Sequence, residues 1–359
     1  MSKKRPEAVL LLEDGTAFEG LPFGAAGEAI GETVVFTGVV GYQEVITDPS
    51  YRGTLVVLTY PIIGSYGVNA EDMESPRAQV SGLIIKDYSA CYSNFRATGA
   101  LEDFLKAQGV VGIQGLDTRA ITVHLREHGE MKGLIASGEA VEPKRLAKKL
   151  KAARSPFASD LVTGLPPAAA PQPAKPGGPR VAVLDLGAKR SLLDQLATLG
   201  CSVEILPSGS SAEEILARSP EAVIISGGPG DPMTLGYAVE TAKGLLGKTR
   251  LLGIGLGHQV LALALGSKVR RMKMGHRGVN YPVRSEGERR GQITVQHHSF
   301  VVDEASVPDA VAVTHVNVND QSIEGIRSQE HEAWSVQFHP SLDEFGQPSE
   351  VLRKFVTRA

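Results

Sequence analysis

The chain has 359 residues, of which 42% are hydrophobic and 21% are charged, and this composition predicts a substantial buried core in two domains. A formal net charge of −3 gives no electrostatic reason to expect binding to nucleic acid or to an anionic membrane. Two cysteines cannot form a disulfide framework, and the apolar runs are too short for a signal peptide or a membrane span, so we predict a cytoplasmic protein.

The first part of the chain is predicted to form an α+β domain over residues 1–154. Ala8–Leu12 is an apolar run followed by Asp14 and Gly15, which is the pattern of a strand entering a hairpin. Three further β-rich runs and then two helix-like segments follow. These are the runs 33–40, 54–60 and 80–86 and the segments 101–107 and 118–127.

A linker is predicted over residues 155–178. This stretch is rich in proline, alanine and glycine and shows no apolar period. The same composition marks the boundary between two domains.

Strands and helices alternate in the remaining residues, 179–359. Such alternation predicts a parallel, doubly wound sheet. Ligands bind such sheets at the carboxyl ends of the strands, where the loop 226–232 (SGGPGDP) and Gly255 both fall. The predicted strands are 181–185, 203–206 and 222–225, and the predicted helices are 190–199 and 212–217.

Residues 253–259 (GIGLGHQ) have the pattern of a nucleophile elbow that lacks a nucleophile. The apolar run 251–254 predicts a buried strand and 259–265 predicts a helix, so Gly255 is expected at a tight turn between them. Hydrolases place their attacking atom at such a turn, with helix amides facing the developing oxyanion. Glycine tolerates the strained backbone but carries no atom that can attack.

Short motifs occur along both halves of the chain. They are GYQEVITDPSY (41–51), LTYP (58–61), SNFR (93–96), LDTR (116–119), SGGPGDP (226–232), GIGLGHQ (253–259), KMGH (273–276) and QFHP (337–340). The last four resemble the class I glutamine amidotransferase family, and the first four narrow the likeness to the small subunits of carbamoyl phosphate synthetases. The likeness covers nearly the whole chain in the same order, and implies an α/β protein with an N-terminal α+β domain followed by a doubly wound class I glutamine amidotransferase domain.

The resemblance identifies where the catalytic groups of the family would stand. Members hydrolyse glutamine with an elbow cysteine, a histidine and a glutamate two residues after that histidine. Those positions hold Gly255, His339 and Ser341 in this chain, so only the histidine remains. Covalent catalysis needs a nucleophile, and glycine has no side chain to ionise.

The resemblance also implies a partly altered glutamine pocket. Glutamine-contacting positions of the family that match are Gly228, Gly230, Leu256, Gln259 and Phe300, and those that differ are Gly38, His297 and Ser299. With Gly255 and Ser341, five positions around one ligand have changed. We therefore favour a natural loss of glutaminase activity, with glutamine bound only weakly.

Other side chains are poor substitutes for the missing groups. Cys201 is expected at the start of a strand, at the far end from the site, and Cys91 lies in the other domain. Asp343 and Glu344 follow His339 closely and are alternatives for orienting its ring, although exposed loop positions are favoured for both.

A metal site is not predicted. His297 and His298 could be grouped with His339, but no carboxylate or thiolate completes such a ligand set.

Three functions are consistent with this sequence. The first is a small subunit that lacks glutaminase activity and supports a large subunit in carbamoyl phosphate formation for arginine and pyrimidine biosynthesis. The resemblance implies that the large subunit binds ATP, bicarbonate and ammonia, whereas no cofactor is expected in this chain. The alternatives are a stand-alone regulatory or ligand-binding pseudoenzyme, and a glutaminase that works by an unrecognised route.

Overall fold

A computed structural model describes residues 7–138, 142–168 and 177–357, and its chain divides into two compact units. The first unit comprises Met1–Ser159 and Lys273–Arg277, and the second comprises Asp160–Met272 and Gly278–Ala359. Within the predicted linker, residues 169–176 lie outside the described part of the chain.

The first unit is built around a closed barrel. The described strands of this unit are β1 (Ala8–Leu12), β2 (Ala17–Gly24), β3 (Gly27–Phe36), β4 (Thr54–Leu58), β5 (Ile62–Ile63), β6 (Gly82–Ile84), β7 (Asp87–Tyr88), β8 (Val111–Gln114) and β9 (Met131–Ser137). The barrel follows the order β1-β2-β8-β6-β4-β3-β9, and β5 pairs with β7 outside it. The pairs β3–β4, β4–β6 and β6–β8 are parallel, and the other described barrel pairs are antiparallel.

Four α-helices accompany the barrel in the described part of the first unit: α1 (Tyr42–Thr47), α2 (Leu101–Gln108), α3 (Thr118–His128) and α4 (Pro143–Ala152). Asp117 caps α3, since its carboxylate accepts a hydrogen bond of 2.9 Å from the Ala120 N–H. Gly109 ends α2 in the left-handed conformation, with φ of 70°.

The GYQEVITDPSY segment lies inside this unit. Tyr42 is buried, its ring stacks on Tyr66 at 4.1 Å, and its hydroxyl donates to the Gly67 carbonyl at 2.6 Å. Gln43 accepts from the Asn69 N–H at 2.9 Å, and Tyr51 is fully buried. The most distinctive motif of the first half therefore builds the core.

The predicted elements of the first unit differ from the observed ones mainly at their ends. The predicted run 33–40 is wrong at both ends, because β3 begins at Gly27, where it pairs with Ser137 of β9, and stops at Phe36. The run 80–86 shortens to β6. β2 was not predicted because Gly20 and Pro22 interrupt its strand pattern.

The second unit contains a nine-stranded sheet in the order β11-β10-β12-β13-β18-β17-β16-β14-β15. Its strands are β10 (Arg180–Asp185), β11 (Ser202–Pro207), β12 (Ala222–Ile225), β13 (Arg250–Ile254), β14 (Val269–Ser285), β15 (Gly291–Val302), β16 (Ala312–Asn317), β17 (Ile323–Ser328) and β18 (Ala333–Val336). The central residues 273–277 of β14 belong to the first unit.

The sheet is parallel from β11 to β18 and antiparallel from β18 to β14. The predicted fold class, an α+β domain followed by a doubly wound α/β domain, is confirmed. The antiparallel half is an addition, because β14 to β17 follow one another without intervening α-helices.

Helices cover both faces of the parallel strands. They are α5 (Arg190–Thr198), α6 (Ala212–Ala217), α7 (Gly236–Leu245), α8 (Leu256–Ala264) and α9 (Glu350–Thr357). Alternate residues of β10 point to opposite cores: Ala182 and Leu184 pack with α6, α7 and α8, whereas Val181 and Val183 pack with α5 and α9. No helix in the described ranges is long and apolar enough to cross a membrane.

Candidate active site

The turn from β13 into α8 has the strained backbone of a nucleophile elbow. Gly255 sits between them with φ of 57° and ψ of −111°, a conformation that residues with a side chain rarely adopt. Its N–H donates to the Val336 carbonyl of β18 at 2.9 Å, and the Gly257 N–H donates to the Ser226 carbonyl at 3.1 Å. The elbow is thereby fixed to the strands on both sides of β13.

Three glycines around the elbow are required by close backbone approaches. A Cβ atom at Gly253 would lie 2.5 Å from the Gly257 carbonyl oxygen, and one at Gly257 would lie 2.0 Å from that of Ile225. A Cβ at Gly228 would lie 2.0 Å from the Leu186 carbonyl oxygen. None of these positions can carry a side chain unless the backbone moves.

Gly255 is different, because space for a side chain remains there. The nearest atoms to a Cβ at this position are the Gly227 Cα at 3.6 Å and the Gln337 carbonyl oxygen at 3.8 Å, which are ordinary contacts. A side chain would carry only the backbone strain, on the order of 1–3 kcal/mol. Packing therefore does not force glycine on the nucleophile position.

The loop 226–232 is held in place by Ser226. Its buried hydroxyl accepts from the Leu186 N–H and donates to the Gly227 carbonyl, both at 2.9 Å. Gly230 has φ of 87°, in the region that favours glycine. The loop therefore keeps a fixed shape at the carboxyl end of β12.

His339 lies just after β18, and its ring contacts a residue that the sequence analysis did not identify. The main-chain N–H of His339 donates to the Val295 carbonyl at 2.9 Å, and Nε2 of its ring lies 3.1 Å from the hydroxyl of Ser191, in the first turn of α5. The position of Ser191 after the carboxyl end of β10 was the available signal. Its 148-residue separation from His339 concealed the contact.

Ser341 does not replace the missing glutamate. It is exposed, and its hydroxyl donates to the main-chain carbonyl of His339 at 3.4 Å. Asp343 is engaged elsewhere: it accepts from the N–H groups of Phe345 and Gln347 at 3.0 and 2.8 Å and pairs with Arg353 at 3.4 Å. The Gln347 hydrogen bond is the main cause that lowers the pKa of Asp343. Glu344 is exposed.

The side chain of Gln259 links α8 to β15 and to the segment that follows β18. It is buried, and its amide nitrogen donates to the Phe300 carbonyl at 2.8 Å and to Gln337 Oε1 at 3.0 Å. Leu256 and Phe300 are also buried. The amide nitrogen of Gln259 is thus already used within the protein, where it fixes the main chain at Phe300.

The altered pocket positions lie in two places. Ser299 is buried and His297 half-buried, both on β15. Gly38 belongs to the first unit, where a Cβ would lie 2.4 Å from the Phe36 ring, so a serine there would require that ring to move.

His297, His298 and His339 are not brought together as one ligand set. Among the described residues, His297, His298 and His339 do not bring three ligand atoms within 4.8 Å of one another. The ring nitrogens of His298 lie 2.9 Å from the Phe300 carbonyl and 2.9 Å from Gln296 Oε1.

Neither cysteine stands at the elbow. Cys201 immediately precedes β11, at the amino end of the sheet, and burial raises the pKa of its thiol to about 11, so the thiol stays protonated at neutral pH. Cys91 is exposed in the first unit.

Comparison with protein families gives two matches along the chain. Residues 10–135 match the family described as carbamoyl-phosphate synthase small chain, CPSase domain. Residues 182–359 match glutamine amidotransferase class-I.

Three curated relatives match over nearly their whole length. The carbamoyl phosphate synthase small chain of Syntrophotalea carbinolica is 43% identical, over 93% of this chain and 92% of the relative. That of Symbiobacterium thermophilum is 44% identical, over 92% of each chain. The pyrimidine-specific small chain of Halalkalibacterium halodurans is 41% identical, over 96% of this chain and 94% of the relative.

His258, within the elbow helix, yields a test of this geometry. It is fully buried, its Nδ1 lies 2.7 Å from the Ser335 hydroxyl, and its Nε2 has no hydrogen-bond partner among the described residues. Burial, with a smaller repulsion from His315, lowers the pKa of His258 from 6.5 to about 3. The ring is therefore neutral in the folded protein over the whole range in which it titrates when unfolded.

We predict that the second unit loses stability as the pH falls below 6.5, because the unfolded chain then binds a proton at residue 258 that the folded protein excludes until about pH 3. Between pH 6.5 and 4.5 this linkage costs about 2 kcal/mol. Urea unfolding followed by the fluorescence of Trp334, the one tryptophan, measures it.

His258→Asn should reduce this pH dependence of the free energy of unfolding by that amount. Equal pH dependence in the protein and in His258→Asn would contradict a buried neutral ring.

Proposed function

The chain belongs to the carbamoyl phosphate synthase small-chain family, and we propose that it acts as a small subunit that no longer hydrolyses glutamine. In this role it supports a large subunit that forms carbamoyl phosphate from free ammonia. The product would serve pyrimidine and arginine biosynthesis, and a relative named as pyrimidine-specific supports the first of these.

The main observation in support of this proposal is that the residue at the elbow, Gly255, has no side chain. At Gly255 the strained backbone, the helix start and the fixed loop at Gly228 are all present, and there is space for a side chain. Acyl transfer from an amide through a covalent intermediate needs an attacking atom at this point. Removal of the nucleophile from a serine protease costs on the order of a millionfold in turnover.

The residues that follow His339 also support the proposed loss of glutamine hydrolysis. A catalytic histidine is oriented by a third group, and loss of that group costs about 10⁴-fold in a serine protease. Ser341 is exposed and bonded to a main-chain carbonyl, and Asp343 is held in its own turn. Ser341 therefore offers no carboxylate at the position where the family has its glutamate.

The proposal of a large-subunit partner is supported by family membership rather than by the GYQEVITDPSY motif. Tyr42 and Tyr51 are buried within the first unit, and Asp117 of the LDTR motif is a helix cap. Packing alone explains their presence. ATP and bicarbonate would bind to the partner, since the present chain offers no recognised nucleotide motif.

A second candidate function follows from Ser191. Its hydroxyl lies 3.1 Å from His339 Nε2, which is the contact between a serine nucleophile and its general base. Ser191 could then replace the elbow cysteine in a slow glutaminase. The position of the hydroxyl, on α5 rather than at the elbow, makes this the weaker candidate.

We predict that the purified chain releases no ammonia from glutamine above the enzyme-free background, because no nucleophile stands at residue 255. A glutamine-mimicking diazoketone should form no adduct on the elbow peptide. Mass spectrometry of the treated protein measures this, and Gly255→Cys is the positive control for labelling. A stoichiometric adduct on the peptide that contains Ser191, lost in Ser191→Ala, would overturn the proposal in favour of the second candidate.

Restoring hydrolysis should require both missing groups. We expect Gly255→Cys with Ser341→Glu to exceed Gly255→Cys alone by more than about 100-fold, because loss of the carboxylate that orients the catalytic histidine costs about 10⁴-fold in a related triad. Steady-state ammonia release measures all three variants. Gly255→Ala with Ser341→Glu is the matched control, since it carries the same backbone strain without a thiol.

If Gly255→Cys alone equalled the double variant, the role assigned to position 341 would be wrong. If both were equally weak while the diazoketone still labelled the introduced thiol in each, the altered positions His297 and Ser299 of the second unit would be the cause.

Reconstitution with a carbamoyl phosphate synthase large chain of the same organism tests the subunit role. We expect a stable complex at micromolar concentration that makes carbamoyl phosphate with ammonium and not with glutamine. The control is the complex that carries Gly255→Cys with Ser341→Glu, in which any restored glutamine dependence must arise at the elbow. Failure of the chains to associate would favour a stand-alone pseudoenzyme, and glutamine-dependent synthesis by the unaltered chain would refute the proposed loss.

A further inference from the structure

A cavity lies at the end of the parallel strands that is opposite the elbow. It has a volume of about 770 Å³ and lies entirely within the second unit. Residues that precede or begin β12, β13 and β18 line it, among them Glu221, Arg250 and Trp334. It is therefore at the amino ends of these strands, whereas the elbow is at their carboxyl ends.

One side of the cavity is apolar and aromatic. Trp334 is half-buried there, and its ring meets that of Phe355 edge-on, with the centroids 6.2 Å apart and the planes at 78°. Leu252, Ile326 and Val351 extend the apolar surface. Such a surface fits the flat face of a ring.

The rest of the lining carries a surplus of positive charge. The basic side chains are Lys248, Arg250, Arg327 and Lys354, and the acidic ones are Glu221 and Glu332. The lining therefore favours an anion.

Two of these basic groups are held against aromatic rings. The Arg250 guanidinium lies 5.5 Å from the centre of the Phe355 ring and donates to the Phe355 carbonyl at 2.6 Å, and that of Arg327 lies 5.5 Å from the centre of the Trp334 ring. Arg250 is nine-tenths buried. Guanidinium groups fixed in this way are suited to phosphate or carboxylate oxygens, because they need little reordering on binding.

We propose that this cavity binds a small anionic ligand that carries a planar ring, of the class of nucleoside monophosphates. The volume lies within the range of small-molecule sites, roughly 300–1,000 Å³. The ring would lie against the apolar surface with Trp334, and the anionic group would contact the basic side chains. The site shares no residue with the glutamine pocket and does not depend on the proposed function.

The single tryptophan of the chain makes this binding directly measurable. With AMP as the probe, we expect saturable quenching of Trp334 fluorescence, excited beyond the absorption of the base, with a Kd below about 1 mM, and calorimetry should give the same value. Adenosine and inorganic phosphate, each lacking one half of the ligand, should bind at least about tenfold more weakly.

Arg327→Gln with Lys354→Gln should weaken AMP binding about tenfold or more, because hydrogen bonds to charged groups are lost. The matched control is Arg218→Gln with Lys243→Gln, which changes an arginine and a lysine that are similarly exposed but outside the lining. Lys354 and Lys243 each pair with a glutamate at 2.7 Å, and the control variant also breaks the exposed Arg218–Glu204 pair at 3.5 Å, so it disturbs at least as much surface charge.

No saturable binding of AMP at millimolar concentration would overturn the proposal. So would equal weakening in the control variant, which would indicate a general charge effect. Equal affinity for AMP and phosphate would remove the planar ring from the proposal and contradict the role of the apolar surface.

Discussion

Close contact between backbones at the carboxyl edge of the parallel strands is the constraint on which the candidate active site depends. The start of α8 lies directly against β12, and the loop after β12 lies against the chain that follows β10, so Gly228, Gly253 and Gly257 have no space for a side chain. These contacts position the elbow, the loop and the helix amides. The shortest of these contacts are to main-chain atoms and none is to the side chain of residue 255, so they persist whatever residue stands there.

Because these backbone contacts do not depend on the side chain at position 255, the site can lose its activity and keep its shape. A cysteine at φ of 57° and ψ of −111° carries strain on the order of 1–3 kcal/mol, which glycine relieves. Loss of the nucleophile is thus neutral or favourable for stability, whereas a change at Gly257 would disrupt the sheet. Once glutamine hydrolysis is not required, stability opposes the return of the cysteine.

The sequence was sufficient where periodicity and glycine spacing act locally. β1, α6 and β12 have the predicted bounds, and the elbow turn follows from an apolar strand, a glycine and an apolar helix. It was insufficient where pairing between distant segments decides the structure. Pairing with β9 makes β3 begin earlier than its sequence pattern indicates, and the antiparallel strands β14 to β17 also depend on such pairing. The contact of Ser191 with His339 joins the first turn of α5 to the segment after β18, which are distant in sequence. The GYQEVITDPSY motif identified the family correctly, yet its burial shows that a distinctive motif need not mark an interface.

The strand β18 connects the two ends of the sheet. Its Val336 carbonyl accepts the Gly255 N–H, its Ser335 hydroxyl contacts His258 of the elbow helix, and Trp334, Ser335 and Val336 all line the cavity at the amino end. A physical connection of this kind is not a coupling free energy, because coupling requires a ligand to bind two states with different affinities. Two conformations of this kind would have to differ in the hydrogen bonds that β18 makes to Gly255 and His258. Since His258 is fully buried and neutral, movement of β18 away from it would admit water and a proton, so its titration would report any such state.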